Sequence, residues 1–180
     1  MSGALQTFVG HPFYAGDMTK NAISIIDIAE ALSKQCRYGG HCIEFYSVAE
    51  HSVLCYRYAQ AIGLDRRLQR AALLHDASEA YLMDIPRPIK PHLEGYAAIE
   101  HRIMMHIAET FDFPWPMPPE VKRIDNAICN DERAQNMHFV DHPDMHWPEE
   151  APLGVRLKLW SPKVACHNFL DAFSEVAGQS

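Results

Sequence analysis

At 180 residues, 48% of them hydrophobic and 22% charged, the chain has room for one globular core and not for two. A net charge of -7 argues against a general binder of duplex nucleic acid, which depends on clustered Lys and Arg, yet leaves room for a small anionic substrate held by a few local cations. No run approaches the about 18 apolar residues of a membrane span, residues 1–16 lack the basic start and apolar run of a secretion signal, and five cysteines without a Cys-x-x-Cys pair predict reduced thiols in a cytoplasmic protein.

Helices joined by Pro- and Gly-rich turns are predicted along the whole chain. The first spans about Ser24 to Arg37, with Ile25, Ile28, Ala29 and Leu32 at helical spacing and Gly39-Gly40 as its stop. Ser47-Val48-Ala49-Glu50 is a capping-box pattern that opens a second helix, ending near Gly63. A third is capped by Asp65 and runs to about Leu82, before Asp84-Ile85-Pro86-Arg87-Pro88, where the prolines forbid helix. A fourth covers about Leu93 to Phe111. Pro114–Pro119 forms a rigid connector, and Pro119 suits the first turn of a fifth helix reaching about Met137. From His138 to Leu159 the pattern is irregular, with Val155–Leu159 as a weak strand candidate, and Ser161-Pro162 opens a last helix to about Val176. The expected architecture is one all-α bundle over residues 1–180, with its core at about 22–137.

Three of these helices carry an ionisable residue on the apolar stripe. The second reads Val48, His51, Cys55, Ala59, Ile62; the third Leu68, Ala71, Ala72, His75, Glu79, Leu82; the fifth Val121, Ile124, Asp125, Ile128. Buried charges are expensive unless paired or metal-bound. One inward histidine is usually a hydrogen-bonded core residue, and an isolated His-Asp dipeptide such as His75-Asp76 is weak evidence. Together, however, two imidazoles and two carboxylates from three helices compose a mixed N/O site for one divalent transition metal, with positions left open for water and substrate. Mn, Co, Ni, Zn and Fe all tolerate such ligands.

The order His51, then His75-Asp76, then a distant Asp125 resembles the HD-domain superfamily of metal-dependent phosphohydrolases. Ala49-Glu50-His51-Ser52, Leu74-His75-Asp76-Ala77-Ser78-Glu79, Asp84-Ile85-Pro86-Arg87-Pro88-Ile89-Lys90 and Lys122-Arg123-Ile124-Asp125 resemble the bacterial 5'-deoxynucleotidases. Cys36-Arg37-Tyr38-Gly39-Gly40-His41 followed by Phe45-Tyr46-Ser47-Val48-Ala49 is similar to a prophage-associated subgroup of short HD hydrolases. The likeness covers about Thr7 to Met137. The Gly-Tyr-Pro motif of the cyclic-dinucleotide phosphodiesterases is absent, and the alarmone hydrolases carry a Glu-Asp pair where this chain has Glu79-Ala80.

The resemblance implies an HD-type helical bundle around one metal ion held by His51, His75, Asp76 and Asp125. It implies metal-assisted hydrolysis of a nucleotide phosphate ester, either as a 5'-nucleotidase on (deoxy)nucleoside monophosphates or as a dNTP triphosphohydrolase. A non-catalytic nucleotide- or protein-binding module is the third reading, disfavoured because every ligand position is kept. Glu79, one turn after His75, would relay a proton or hold the attacking water; a structural bond to a ligand histidine is its alternative. Lys122, one turn before Asp125, and Arg37 would bind phosphate. Asp84 matches the carboxylate that contacts the sugar hydroxyl, or else simply caps a turn. Tyr38 stands where the deoxynucleotidases place a Trp near the nucleoside, and His41 is a further substrate-contact candidate. Arg87 and Lys90 would add positive potential to the site, with a solvated loop as the alternative at least as well supported. His138, His142 and His146 are read as loop residues because Pro143 breaks any helix there. Homo-oligomerisation is expected from the same relatives, with the aromatic and Met-containing segment Phe111–Met117 as its weak correlate.

Overall fold

The helices begin where their caps place them. Ser47 Oγ accepts from the N–H of Glu50 at 3.1 Å, and Asp65 Oδ1 accepts from the N–H of Leu68 at 2.9 Å. Pro119 and Pro162 occupy first turns, where a missing N–H costs nothing. The computed structural model describes residues 3–178. In chain order these form a two-residue antiparallel hairpin, β1 (Leu5–Gln6) and β2 (Pro12–Phe13), with Leu5 opposite Phe13 and Gln6 opposite Pro12. Seven α-helices follow: α1 (Ile25–Lys34), α2 (Val48–Ala61), α3 (Arg66–Leu74), α4 (Glu79–Leu82), α5 (Tyr96–Phe111), α6 (Pro119–Asn136) and α7 (Pro162–Ala177). The fold is all-α apart from the hairpin. Among the described residues no helix is long and apolar enough to cross a membrane.

α2 is the central element and packs against α1, α3, α6 and α7. It is buried from Val48 through Tyr56, so most of its circumference faces protein. One hydrophobic cluster takes in Ile28 and Leu32 of α1, Val53 of α2, Leu73 and Leu74 of α3, Ile103 and Ile107 of α5, Ile124 and Ile128 of α6, and Phe169 of α7. The stretch between α6 and α7 has no regular structure but is tightly tied. Asp131 accepts from the N–H groups of Leu153 and Gly154, and the buried Glu50 accepts from those of Lys158, Leu159 and Trp160 at 2.6, 3.0 and 2.6 Å. Glu50 is therefore half of the expected capping box: it donates its N–H to Ser47, but its carboxylate goes to the irregular strap.

Three expectations need correction. The first helix stops at Lys34, not Arg37, because Gln35 and Cys36 turn extended: Gln35 O accepts from the N–H of Val48 and the N–H of Arg37 donates to Tyr46 O, pairing Cys36 with Ser47. Arg37–Gly40 is instead a short turn in which Tyr38, Gly39 and Gly40 all have positive φ, of 58°, 61° and 82°. The third predicted helix is broken between Leu74 and Glu79, where i→i+3 bonds such as Ala77 N–H to Leu74 O replace the α pattern. Val155–Leu159 forms no strand, since its backbone bonds go to the Gln135 and Glu50 side chains. The β1–β2 hairpin was not anticipated.

Candidate metal centre

The break after α3 positions the site. In a continuous α-helix, adjacent residues diverge by about 100° around the axis. The tighter turn here lets His75 and Asp76 face the same point, with His75 Nε2 to Asp76 Oδ2 at 3.2 Å. α2 supplies His51, fully buried, and α6 supplies Asp125. His51 Nε2 lies 3.2 Å from His75 Nε2, 3.6 Å from Asp76 Oδ2 and 3.4 Å from Asp125 Oδ1; His75 Nε2 lies 3.6 Å from Asp125 Oδ1. Ligand bonds of about 2.0–2.2 Å around one ion would separate neighbouring donor atoms by roughly 3–3.5 Å. The fold therefore brings all four expected residues together, each histidine Nε2 lying 3.2–3.6 Å from the other and from both carboxylates. Cys55, one turn after His51, joins the group: the donor atoms of His51, Cys55 and His75 lie within 4.8 Å of one another, with Cys55 Sγ 3.7 Å from His51 Nε2. This buried His-Cys-His group can hold a metal ion. Burial holds the Cys55 thiol well above its usual range, and Asp125 and Glu132 add to the effect.

Each ring is oriented from behind. His51 Nδ1 is 2.7 Å from Glu132 Oε1, and His75 Nδ1 is 2.9 Å from the Ala72 carbonyl. An acceptor at Nδ1 favours the tautomer whose Nε2 lone pair faces the cluster. The carboxylates create a demand for positive charge. Burial opposes a charged His75 ring, yet Asp76 and Asp125 beside it raise its pKa to about 10. Burial likewise opposes ionised Asp76 and Asp125, but the two histidines hold both below the usual range.

The expected substrate residues divide. Lys122 Nζ is 3.0 Å from Asp125 Oδ2, at the edge of the cluster. Arg37 is buried rather than free: Nε is 3.3 Å from Glu132 Oε2, and Nη1 is 3.4 Å from Asp76 Oδ2. Tyr38 donates its hydroxyl to Glu132 Oε2, and its ring packs against Trp147 with centroids 5.9 Å apart. Glu79 is buried; Oε1 lies 3.4 Å from Lys90 Nζ, and Oε2 has no hydrogen-bond partner. Burial, with Asp76 and Asp84 nearby, raises its pKa well above the usual carboxylate range. Asp84 is raised by burial too, although Arg37 opposes this. His41 is exposed, and its N–H ends the turn on Tyr38 O; no contact ties its ring to the cluster. His138, His142 and His146 lie in irregular backbone, as expected.

Glu132 and Trp147 were not foreseen, and Arg87 was open between two roles. Glu132 is fully buried and sits on the stripe that carries Asp125, two turns further along; the pattern Val121, Ile124, Asp125, Ile128 extends to it without a break. Burial would raise its pKa, but Arg37 and His51 hold it at about 2. Arg87, either a source of positive potential or a solvated loop residue on sequence alone, places Nη2 2.5 Å from Asp125 Oδ2 and Nη1 2.8 Å from Asn126 Oδ1. Trp147 comes from a segment with no periodicity, so nothing in the sequence points to it.

No family model matches the chain. Over 129 residues it is 41% identical to the uncharacterized protein YfdR of Escherichia coli K12, spanning 72% of this chain and 70% of that protein. Over 112 residues it is 38% identical to the uncharacterized protein RCAP_rcc00048 of Rhodobacter capsulatus, spanning 59% of this chain and 57% of that one.

Proposed function

This chain belongs to the same family as the Escherichia coli protein YfdR, and we propose that it is an HD-type metal-dependent phosphohydrolase, a 5'-nucleotidase that converts (deoxy)nucleoside 5'-monophosphates and water to nucleoside and phosphate. The observation that carries this reading is the convergence of His51, His75, Asp76 and Asp125, with each histidine Nε2 3.2–3.6 Å from the other and from both carboxylates, and with two cations on the second oxygen of Asp125. A divalent ion held there would polarise a phosphoryl oxygen and lower the pKa of a water molecule.

The chain's own residues would do the rest. Lys122 and Arg87, each with a half-exposed side chain, are placed to meet the charge that builds on phosphoryl oxygens. Glu79 has a buried carboxylate oxygen without a partner, available to take a proton from attacking water. Arg37 serves this site by spanning Glu132 and Asp76 more than by reaching outward. Asp84 and Tyr38 flank it as candidates for the sugar and base side, and the solvent-facing His41 remains a candidate contact. The reading includes cytoplasmic location and self-association, testable by fractionation and light scattering.

The deciding experiment incubates metal-stripped protein with dAMP or dATP and added Mn, Co, Ni, Zn or Fe(II). Inorganic phosphate from dAMP is the expected product. Triphosphate from dATP alone would redirect the assignment to a triphosphohydrolase. Nucleotide binding without turnover under every metal would replace the enzyme with a binding module.

A further inference from the structure

We propose that Glu132 is a positioning residue that fixes the ring of His51 for metal binding and, through its other oxygen, couples the metal centre to the Arg37–Gly40 turn. This rests on the metal-centre reading above. Its two carboxylate oxygens are used separately. Oε1 is 2.7 Å from His51 Nδ1, while Oε2 takes the Arg37 guanidinium at 3.3 Å and the Tyr38 hydroxyl. A carboxylate kept only as a counterion for Arg37 would need Oε2 alone. Oε1 instead meets the one ring nitrogen of His51 that points away from His75, Asp76 and Asp125. A carboxylate at that nitrogen keeps the proton on Nδ1 and makes Nε2 the donor toward the ion.

The placement also has a mechanical basis. Glu132 and Asp125 share one long helix, so α6 supplies a ligand and, two turns later, the group that orients a ligand on α2. His51 is thereby set relative to Asp125 by a single rigid element. The same carboxylate anchors Arg37, whose Nη1 reaches Asp76 Oδ2 at 3.4 Å. His51, Glu132, Arg37 and Asp76 thus form a chain that begins and ends at expected ligands. The turn that carries Tyr38 is held by the same group.

The test uses the full chain labelled with 15N-histidine, titrated with Zn, beside Glu132→Gln and with melting temperature measured in parallel. Zn-bound wild type should show His51 protonated at Nδ1, with a downfield proton hydrogen-bonded to carboxylate, and metal bound through Nε2. Glu132→Gln should stay folded but bind Zn roughly 10–100-fold more weakly, as loss of an outer carboxylate partner does, and should shift the Nδ1 proton. A merely structural role would lower the melting temperature and leave Zn affinity and the His51 signals unchanged, which overturns the proposal. If the variant does not fold, the wild-type spectrum still decides: metal on Nδ1, or no proton there, removes Glu132 from the role. Wild type that binds no ion instead overturns the metal centre itself.

Discussion

His51 Nε2 and His75 Nε2 stand 3.2 Å apart, and each ring has an acceptor at its opposite nitrogen, Glu132 for one and the Ala72 carbonyl for the other. Rings held this way would turn both Nε2 atoms toward an ion bound at one point, beside two carboxylates. Asp76→Ala removes the oxygen closest to His75 Nε2 and should abolish stoichiometric metal in protein purified without chelator, with the helical circular dichroism retained. Elemental analysis checks it; full metal content in the variant would refute the ligand set.

Glu79→Ala separates chemistry from metal binding. The carboxylate touches Lys90 and none of the four proposed ligands in the contacts observed. Metal content should hold while turnover of dAMP falls by about 10²–10⁴. Measuring both on one sample is essential, because joint loss would identify Glu79 as a support for a ligand histidine. Unchanged turnover would shift suspicion to Asp84.

Lys122→Ala and Arg87→Ala each leave one cation on Asp125 Oδ2. Each should weaken binding of phosphorylated substrate roughly tenfold, read as KM and as inhibition by inorganic phosphate. Both side chains are about half exposed, so added salt should mute the difference. An unchanged KM in both variants would place the phosphate elsewhere.

Glu50→Ala tests the strap. Three backbone N–H groups, of Lys158, Leu159 and Trp160, converge on this buried carboxylate. Leaving them without an acceptor should cost about 3 kcal/mol or more, measured by urea denaturation. A loss under about 0.5 kcal/mol, the range of ordinary surface substitutions, would mean the strap re-pairs with water.

Cys42 gives a pH prediction. Burial and the Cys36 thiol, 3.4 Å away, raise its pKa from 9.0 to about 11. Only the thiolate alkylates, so at pH 8 its labelling should be roughly 100-fold slower than that of an unperturbed thiol, and should climb with pH until about 11. Cleavage after Arg37 separates Cys36 from Cys42 in peptide mass spectra. Fast labelling of Cys42 at pH 8 would contradict the burial that raises it.

His51, His75 and Asp125 were legible because each interrupts an apolar stripe, and an interruption of that kind needs a physical reason; Asp76 was reached only through its place beside His75 in the His-Asp pattern. Glu132 was equally legible: it continues the α6 stripe one turn past Ile128. The break after Leu74 was not, since the periodicity of Arg66–Leu82 reads through it and the tight turn becomes visible only in its backbone bonds. Arg87 shows a different limit. A cation in a Pro-rich loop reads equally as solvated or as part of the site until the fold brings α6 alongside it. Trp147 and the strap are held by side chains distant in sequence, Asn130, Asp131 and Glu50 among them, so no local pattern announces them. The hairpin strands have two residues each, too short for an alternation to register.

The separation along the chain between His51 and its partners has a consequence for how the protein comes into being. His75 lies 24 residues away and Glu132 81. Helices such as α5 and α6 can form from neighbouring residues alone, whereas the cluster exists only after those long loops have closed. An ion bridging α2 and α6 would then act as a late clasp, tightening the assembled chain instead of nucleating it. Excess metal at about 100 times its dissociation constant would add roughly 2.7 kcal/mol to the folded state. Folding rate should be nearly indifferent to that ion, and the unfolding rate should carry almost the whole effect.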